Sequence, residues 1–431
     1  VIVTYDEDGL SIFGEGGAAA AAEDAIHDAG AVIEKEVVHH SDNQNTVVVA
    51  KAGKGVTTEE IIRQLSGEAG IASVQPDYVY ELLDGSSTLT DDVYNNNSLS
   101  GQYYLYNAMV NKAWKKGYRS DRRVTAAVLD TGCRLTHTDI NAYLSRNSEG
   151  DILAWDAVND MSIEDSLEAG YIANGGDLQG HGTHVCGIVG AVANNGIGIA
   201  GVSNNAKLLP VNVFTRSATG SVSAKTSDIV SGYEYLKQLM DERTLTDLRV
   251  INMSLGRITS GDSYSPGEYS TDRLLENAIV EMRDRGVLTV CAGGNGDSTG
   301  IAYTDRFNFP SDFDPCVAVS ALDNENRNAS FSDYNKYKDI SAPGVYILST
   351  TYRSDDSYGY MSGTSQASPV VAGAVALLWA QVPELTADEV VTAIKGTAQP
   401  ILDDTRYDRY RIDTNPYSQQ GSAGSIDVAS A

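Results

Sequence analysis

Asp130, His181 and Ser365 are residues of the types that, brought together, perform nucleophilic acyl transfer. A serine hydroxyl is a poor nucleophile until a neighbouring imidazole takes its proton. That imidazole in turn needs a carboxylate to fix its tautomer and stabilise its positive charge. Asp130 follows the apolar run 124–129 and precedes Thr131 and Gly132, a turn that leaves a carboxylate at the rim of a sheet. In an open parallel sheet, catalytic groups collect at such carboxyl ends. Taken alone, an aspartate there also serves as a turn or helix cap. His181 strengthens the case. The chain has six histidines, and two fall in Gly180-His181-Gly182-Thr183-His184, ahead of a small-residue helical stretch at 185–192. The pair also reads as helix-capping imidazoles, or as metal ligands at i and i+3 that would make a metal-dependent hydrolase with Asp130. Zinc hydrolases usually space two histidines at i and i+4 around a glutamate, and none stands here.

Ser365 lies in Gly363-Thr364-Ser365-Gln366-Ala367-Ser368-Pro369. Pro369 suits the first turn of the apolar helix expected at 369–380. A serine at that point faces the positive end of the helix dipole, and its own N–H can hold an oxyanion. A second donor is needed for a tetrahedral intermediate. The side-chain amide of Asn295, after Ala292, Gly293 and Gly294, ends another strand and is the candidate.

The elements that must position these groups fall into two regions. From Arg122 onward, short apolar strands at 124–129, 208–214, 250–253, 287–291 and 317–322 alternate with helical segments at 227–239, 272–283 and 369–380. A last helix begins with a capping box, Thr386 and Glu389. This is the pattern of a doubly wound α/β domain, a mostly parallel sheet with helices on both faces. Ahead of it, strands at 1–5, 32–38, 46–50 and 71–80 and helices at 18–27 and after Thr57 give a β-α-β-β-α-β order. That order belongs to a small α+β ferredoxin-like domain. The turn-rich stretch 84–100 reads as a linker. The expected division is 1–83, a linker at 84–101, and 102–431.

At 431 residues the chain has room for these two cores. Its formal charge of −27 and pI near 4.4 argue against nucleic acid as a partner, because a phosphate backbone would be repelled. No apolar run approaches the roughly 20 residues of a membrane span. Val1 opens directly in a strand, so any export signal is expected to have been removed or to lie outside the sequence. Cys133, Cys186, Cys291 and Cys316 are too sparse to staple a fold of this size and lack zinc-site spacing.

Five segments together resemble the subtilisin-like serine peptidases. They are Val128-Leu129-Asp130-Thr131-Gly132, His181-Gly182-Thr183-His184-Val185, the Ser365 motif, Asn252-Met253-Ser254-Leu255-Gly256 and Ala292-Gly293-Gly294-Asn295. Ile426-Asp427-Val428 resembles the family's final segment. Residues 1–83 are similar to its propeptide inhibitor, with Val74-Gln75-Pro76-Asp77-Tyr78 resembling the last strand. The resemblance implies a secreted, monomeric serine endopeptidase acting on protein or peptide substrates. It also implies a precursor inhibited by its own propeptide and cleaved by itself between about Leu82 and Ser100.

By the same resemblance, substrate adds as a strand beside Ser254, Leu255 and Gly256, with Gly294, Gly296 and Met361 at pocket positions. None is charged, so an apolar or aromatic residue is expected before the scissile bond. A structural Ca²⁺ site is implied at the Asp139 carboxylate, the Asn195 side chain and the carbonyls of Ala193, Ile197 and Ile199. Gln366 replaces a methionine frequent in the family. If the triad assembles, Cys133 and Cys186 come close, as a disulfide or as two buried small hydrophobes; Cys291 and Cys316 are the other pair. The alternative function is a peptide-binding pseudopeptidase, although no catalytic position is missing.

Overall fold

The computed structural model describes residues 1–6, 17–39, 45–68, 70–82, 85–86, 98, 100–118, 124–204, 206–259, 272–297, 299–303, 306–335, 337–399, 401 and 425–431. Most of the expected linker at 84–101 lies outside the described residues. The N-terminal unit has the expected β-α-β-β-α-β order. Its four strands, Ile2–Asp6, Ala31–His39, Asn45–Ala52 and Ile71–Gln75, pair antiparallel. The helix Thr58–Leu65 starts at the anticipated capping box, where Thr57 and Glu60 satisfy each other's backbone N–H. Side chains alternate across the sheet. Val3, Val48 and Ala50 pack with Ile26, Ile61 and Leu65 of the two helices. Ile2, Val47 and Val49 on the other face join a cluster belonging to the larger unit. Each such burial contributes about 1.5–3 kcal/mol, so this face docks firmly.

The larger unit is built on an eight-stranded sheet. Seven strands run parallel, in the order Ile340–Pro343, Cys316–Leu322, Leu288–Ala292, Leu248–Met253, Thr125–Asp130, Lys207–Asn212 and Trp155–Asp156. Met161–Ser162 closes one edge antiparallel. All five anticipated strands lie in the interior of this order. Alternation again sends neighbours to opposite faces. Ala126 and Val128 meet the helices His181–Gly190 and Thr364–Gln381, whereas Ala127 and Leu129 meet Thr226–Asp241 and Arg273–Asp284.

One strand differs from expectation. Residues 71–80 do not form a single strand, because Pro76 cannot donate to a ladder. Ile71–Gln75 stays in the small sheet, while Val79–Leu82 crosses to the larger unit. There it lies antiparallel between Val222–Lys225 and Leu255–Thr259. At the crossing, Oε1 of Gln75, the last residue of the first strand, accepts the N–H of Leu274 (3.1 Å), and Asp77 caps Ser227 (3.0 Å). These are first-turn N–H groups of the two helices beneath the small sheet, which lack intrahelical partners.

Candidate active site

Asp130 is the last residue of its strand and is fully buried. Both its oxygens face Nδ1 of His181, at 2.8 and 3.0 Å. His181 opens the helix His181–Gly190. Two glycines make the meeting possible. Gly180, at φ 104°, turns the chain into the helix. Gly182 lies so close to the Asp130 turn that a Cβ there would sit 2.0 Å from the Gly132 carbonyl oxygen.

Asp177 clamps the same junction and was not anticipated. Its carboxylate accepts from Thr131 Oγ1 (2.7 Å), Gly180 N (2.6 Å), Gln179 N (3.0 Å), Thr183 N (2.7 Å) and Thr183 Oγ1 (2.5 Å). Burial pushes its pKa up, and these donors oppose that by holding the charged form. A carboxylate just ahead of a helix is a cap signal in sequence. Nothing in sequence ties it to Thr131, 46 residues away.

Ser365 is the second residue of the buried helix Thr364–Gln381. The helix therefore starts five residues before Pro369, which lies in the second turn rather than the first. The missing Pro369 N–H has a consequence: it cannot bond the Ser365 carbonyl four residues back. Ser254 Oγ donates to that carbonyl instead, at 2.8 Å, and Ser365 Oγ donates to the Ser254 carbonyl at 3.1 Å. Asn252 links to Ser254 Oγ (2.9 Å) and accepts from Ser368 Oγ (2.7 Å), which latches the helix to the strand end. Asn295 Oδ1 accepts both the N–H and the hydroxyl of Thr364 at 2.8 Å. That contact turns Nδ2 of Asn295 to the other side. The Asp130 and Asn252 strands are neighbours in the sheet, and the helices bearing His181 and Ser365 pack together. The arrangement gathers a serine hydroxyl, an imidazole with its carboxylate, and backbone and amide donors at one rim.

The remaining anticipated residues separate by role. Leu255 and Gly256 pair with Leu82 and Glu81, and Met361 pairs with Ser86. Gly294 donates to Thr364 Oγ1 (3.1 Å), and Gly296 takes φ 72°. His184 does not face Asp130. Its Nε2 lies 3.2 Å from the Gly359 carbonyl, and burial beside His181 pushes its pKa down to about 3. The four cysteines are buried free thiols. Cys186 lies against Cys133, and Cys316 against Cys291; burial pushes up the thiol pKa of Cys186 and of Cys316.

Asp139 and Asn195 do meet. Asp139 Oδ1 accepts from Asn195 Nδ2 (2.6 Å), and Oδ2 from the Ile199 N–H (2.8 Å) and the Tyr358 hydroxyl (2.9 Å). A Cβ on Gly198 would lie 1.8 Å from Asp139 Oδ2, so the loop carrying Ala193, Ile197 and Ile199 wraps tightly on the carboxylate. These are hard oxygen groups of the kind Ca²⁺ takes, provided the Asn195 amide turns its oxygen inward. Gln102, which grips Ala200 at 2.9 and 2.7 Å, and Tyr358 adjoin the loop without having been anticipated.

Two substitutions test this geometry. Gly182→Ala should push the histidine helix off the Asp130 turn and lower kcat/KM by about 100-fold, the cost of misplacing a catalytic group by about 1 Å. Steady-state kinetics beside a melting curve check it. His184 is neutral when folded and takes up a proton on unfolding below its ordinary pKa of about 6.5. Its contribution is complete above that pH and is lost as pH falls toward about 3. In His184→Gln, unfolding free energy from denaturant titrations should therefore depend on pH less steeply by one proton across that window.

Residues 121–422 match the sequence profile of the subtilase family. A thermophilic serine proteinase of Bacillus sp. strain AK1 is 31% identical over 408 residues, covering 89% of this chain and 87% of that protein. Subtilisin DY of Bacillus licheniformis is 33% identical over 308 residues, covering 72% and 95%. The crystal structure of fervidolysin from Fervidobacterium pennivorans, described as a keratinolytic enzyme related to subtilisin, aligns with a TM-score of 0.68 at 20% identity. That alignment covers all of this chain and 60% of the fervidolysin chain. Its identity is low enough that it speaks for the fold alone. With the strand-end site in place on that fold, and a family match over more than two thirds of its length, the chain belongs to the subtilase family and is a subtilisin-like serine endopeptidase.

Proposed function

We propose that Asp130, His181 and Ser365 act as the triad of a precursor that cuts itself free of residues 1–83. Ser365 Oγ attacks the peptide carbonyl while His181 Nε2 takes its proton, and Asp130 holds the Nδ1–H and offsets the imidazolium charge. The Ser365 N–H and Asn295 Nδ2 receive the oxyanion. His181 then protonates the leaving amine, and water hydrolyses the acyl-enzyme by the same route in reverse. The observation that carries this reading is the path of the N-terminal segment. Val79–Leu82 lies as a strand against Leu255 and Gly256, and Gly85–Ser86 pairs with Met361 and Ser362, three residues before Ser365. Leu82 opposite Leu255 and Gly85 opposite Ser362 leave one residue on each side of a central bond. That bond, Leu83–Asp84, is the proposed processing site, at the start of the anticipated window. Leu83 also suits the uncharged pocket expected from sequence.

The docked unit blocks the cleft with the same ladder hydrogen bonds a substrate would use, which accounts for self-inhibition. Ca²⁺ belongs to this proposal as a structural ion held by Asp139, Asn195 and the carbonyls of Ala193, Ile197 and Ile199. When bound, it would offset the Asp139 charge and hold the loop against that carboxylate. Secretion and a monomeric state are part of the same reading. Among the described residues no helix is long and apolar enough to cross a membrane.

The processed protein should begin at Asp84 by mass spectrometry, and Ser365→Ala should remain at 431 residues. Processing of that variant at the wild-type rate would assign the cut to another protease. An organophosphonate should label Ser365 in the processed wild type with or without chelator. Absence of labelling would instead favour a peptide-binding pseudopeptidase. Chelation should lower Tm by several degrees, and Asp139→Asn should abolish the response to added Ca²⁺ in a calorimetric scan.

A further inference from the structure

Asp272 takes no part in the hydrolytic chemistry, yet it lies fully buried at the head of the helix Arg273–Asp284. Its Oδ1 accepts the Leu275 N–H (3.2 Å) and Gln75 Nε2 (2.8 Å). Its Oδ2 accepts the hydroxyls of Tyr80 (3.0 Å) and Thr226. Two of these four donors, from Gln75 and Tyr80, depart with the N-terminal unit. Tyr80 is among the largest fully buried side chains of the chain. Although it belongs to the N-terminal segment, it sits in the larger unit's apolar cluster with Ile229, Leu255, Leu275 and Phe309. The Arg257 guanidinium also faces its hydroxyl. A phenolic O–H, both donor and acceptor, thus lies between a carboxylate and a cation.

We propose that the socket filled by Tyr80 becomes, in the processed enzyme, a substrate pocket that selects tyrosine through Asp272. This rests on the processing register above, which makes Tyr80 the fourth residue on the acyl side of the scissile bond. The strand around Tyr80 pairs with Val222–Lys225 on one side and lies beside Leu255–Thr259 on the other. A substrate strand entering there carries its fourth side chain into the same socket. Phenylalanine would fill the apolar walls but leave a buried carboxylate short of a donor, which is costly. Lysine would meet Asp272 but also Arg257. Small residues would forfeit the packing. Sites built to bond a substrate hydroxyl discriminate strongly against the analogue lacking it.

The test is a set of peptides identical except for tyrosine, phenylalanine or lysine at the fourth acyl-side position, turned over by the processed wild-type enzyme. We expect kcat/KM for tyrosine to exceed that for phenylalanine by about 10-fold or more, with lysine below both. In Asp272→Ala the tyrosine-to-phenylalanine ratio should fall to about 1. Asp272 also caps its helix, so that variant can fail to fold, and the wild-type series then decides alone. Equal turnover of the tyrosine and phenylalanine peptides overturns the pocket while leaving the hydrolase intact. A preference for lysine likewise overturns it. No turnover of any peptide overturns the hydrolase reading and the pocket with it.

Discussion

The buried contact between Asp130 and His181 is the constraint around which the larger unit is organised. Taking a carboxylate out of water is expensive, and the cost is met only when geometry and hydrogen bonds are good. Here the imidazole sits at bonding distance from both oxygens, and the Thr131 N–H adds a further donor at 2.8 Å. Holding that geometry requires a strand end and a helix start to approach almost backbone to backbone. Gly182 against the Gly132 carbonyl permits the approach, and Asp177 fixes it from behind by bonding both partners. The geometry of that contact therefore depends on residues outside the proposed triad.

Much of this was legible in the residues themselves. The five interior strands were readable because a parallel sheet buried on both faces demands continuous apolar runs. Asp130, His181, Ser365 and Asn295 stood out as candidates because each follows or precedes an element at a point where its type is chemically meaningful. Asp177, Asp272, Gln102 and Tyr358 did not. Each earns its place through a partner far along the chain, and a carboxylate near a helix start carries no mark of which distant hydroxyl it will meet. The breaks in expectation have local causes. Pro76 divides what looked like one strand. Pro369 was placed in the first turn because proline favours it, whereas the helix starts earlier and uses the missing N–H to hand the Ser365 carbonyl to Ser254.

The two units share one device. The larger unit's helices Thr226–Asp241 and Arg273–Asp284 begin with unpaired N–H groups, and the crossing segment supplies acceptors to both, through Asp77 and Gln75. A few residues later the same segment enters the cleft as a strand. Docking against these helices and the strand laid in the cleft are thus a single continuous contact.

The small sheet is covered on both faces, by its own helices on one side and by the larger unit on the other. If severed and displaced as proposed, that unit would leave Ile2, Val47 and Val49 facing water, on a scaffold of fewer than 90 residues. A domain of that size buries little apolar surface and would be marginal once freed, and an endopeptidase cuts unfolded chain most readily. On the proposed self-processing, maturation would thereby gain a direction: the released guard would be consumed by what it had guarded, and the equilibrium that would restore it would be drained.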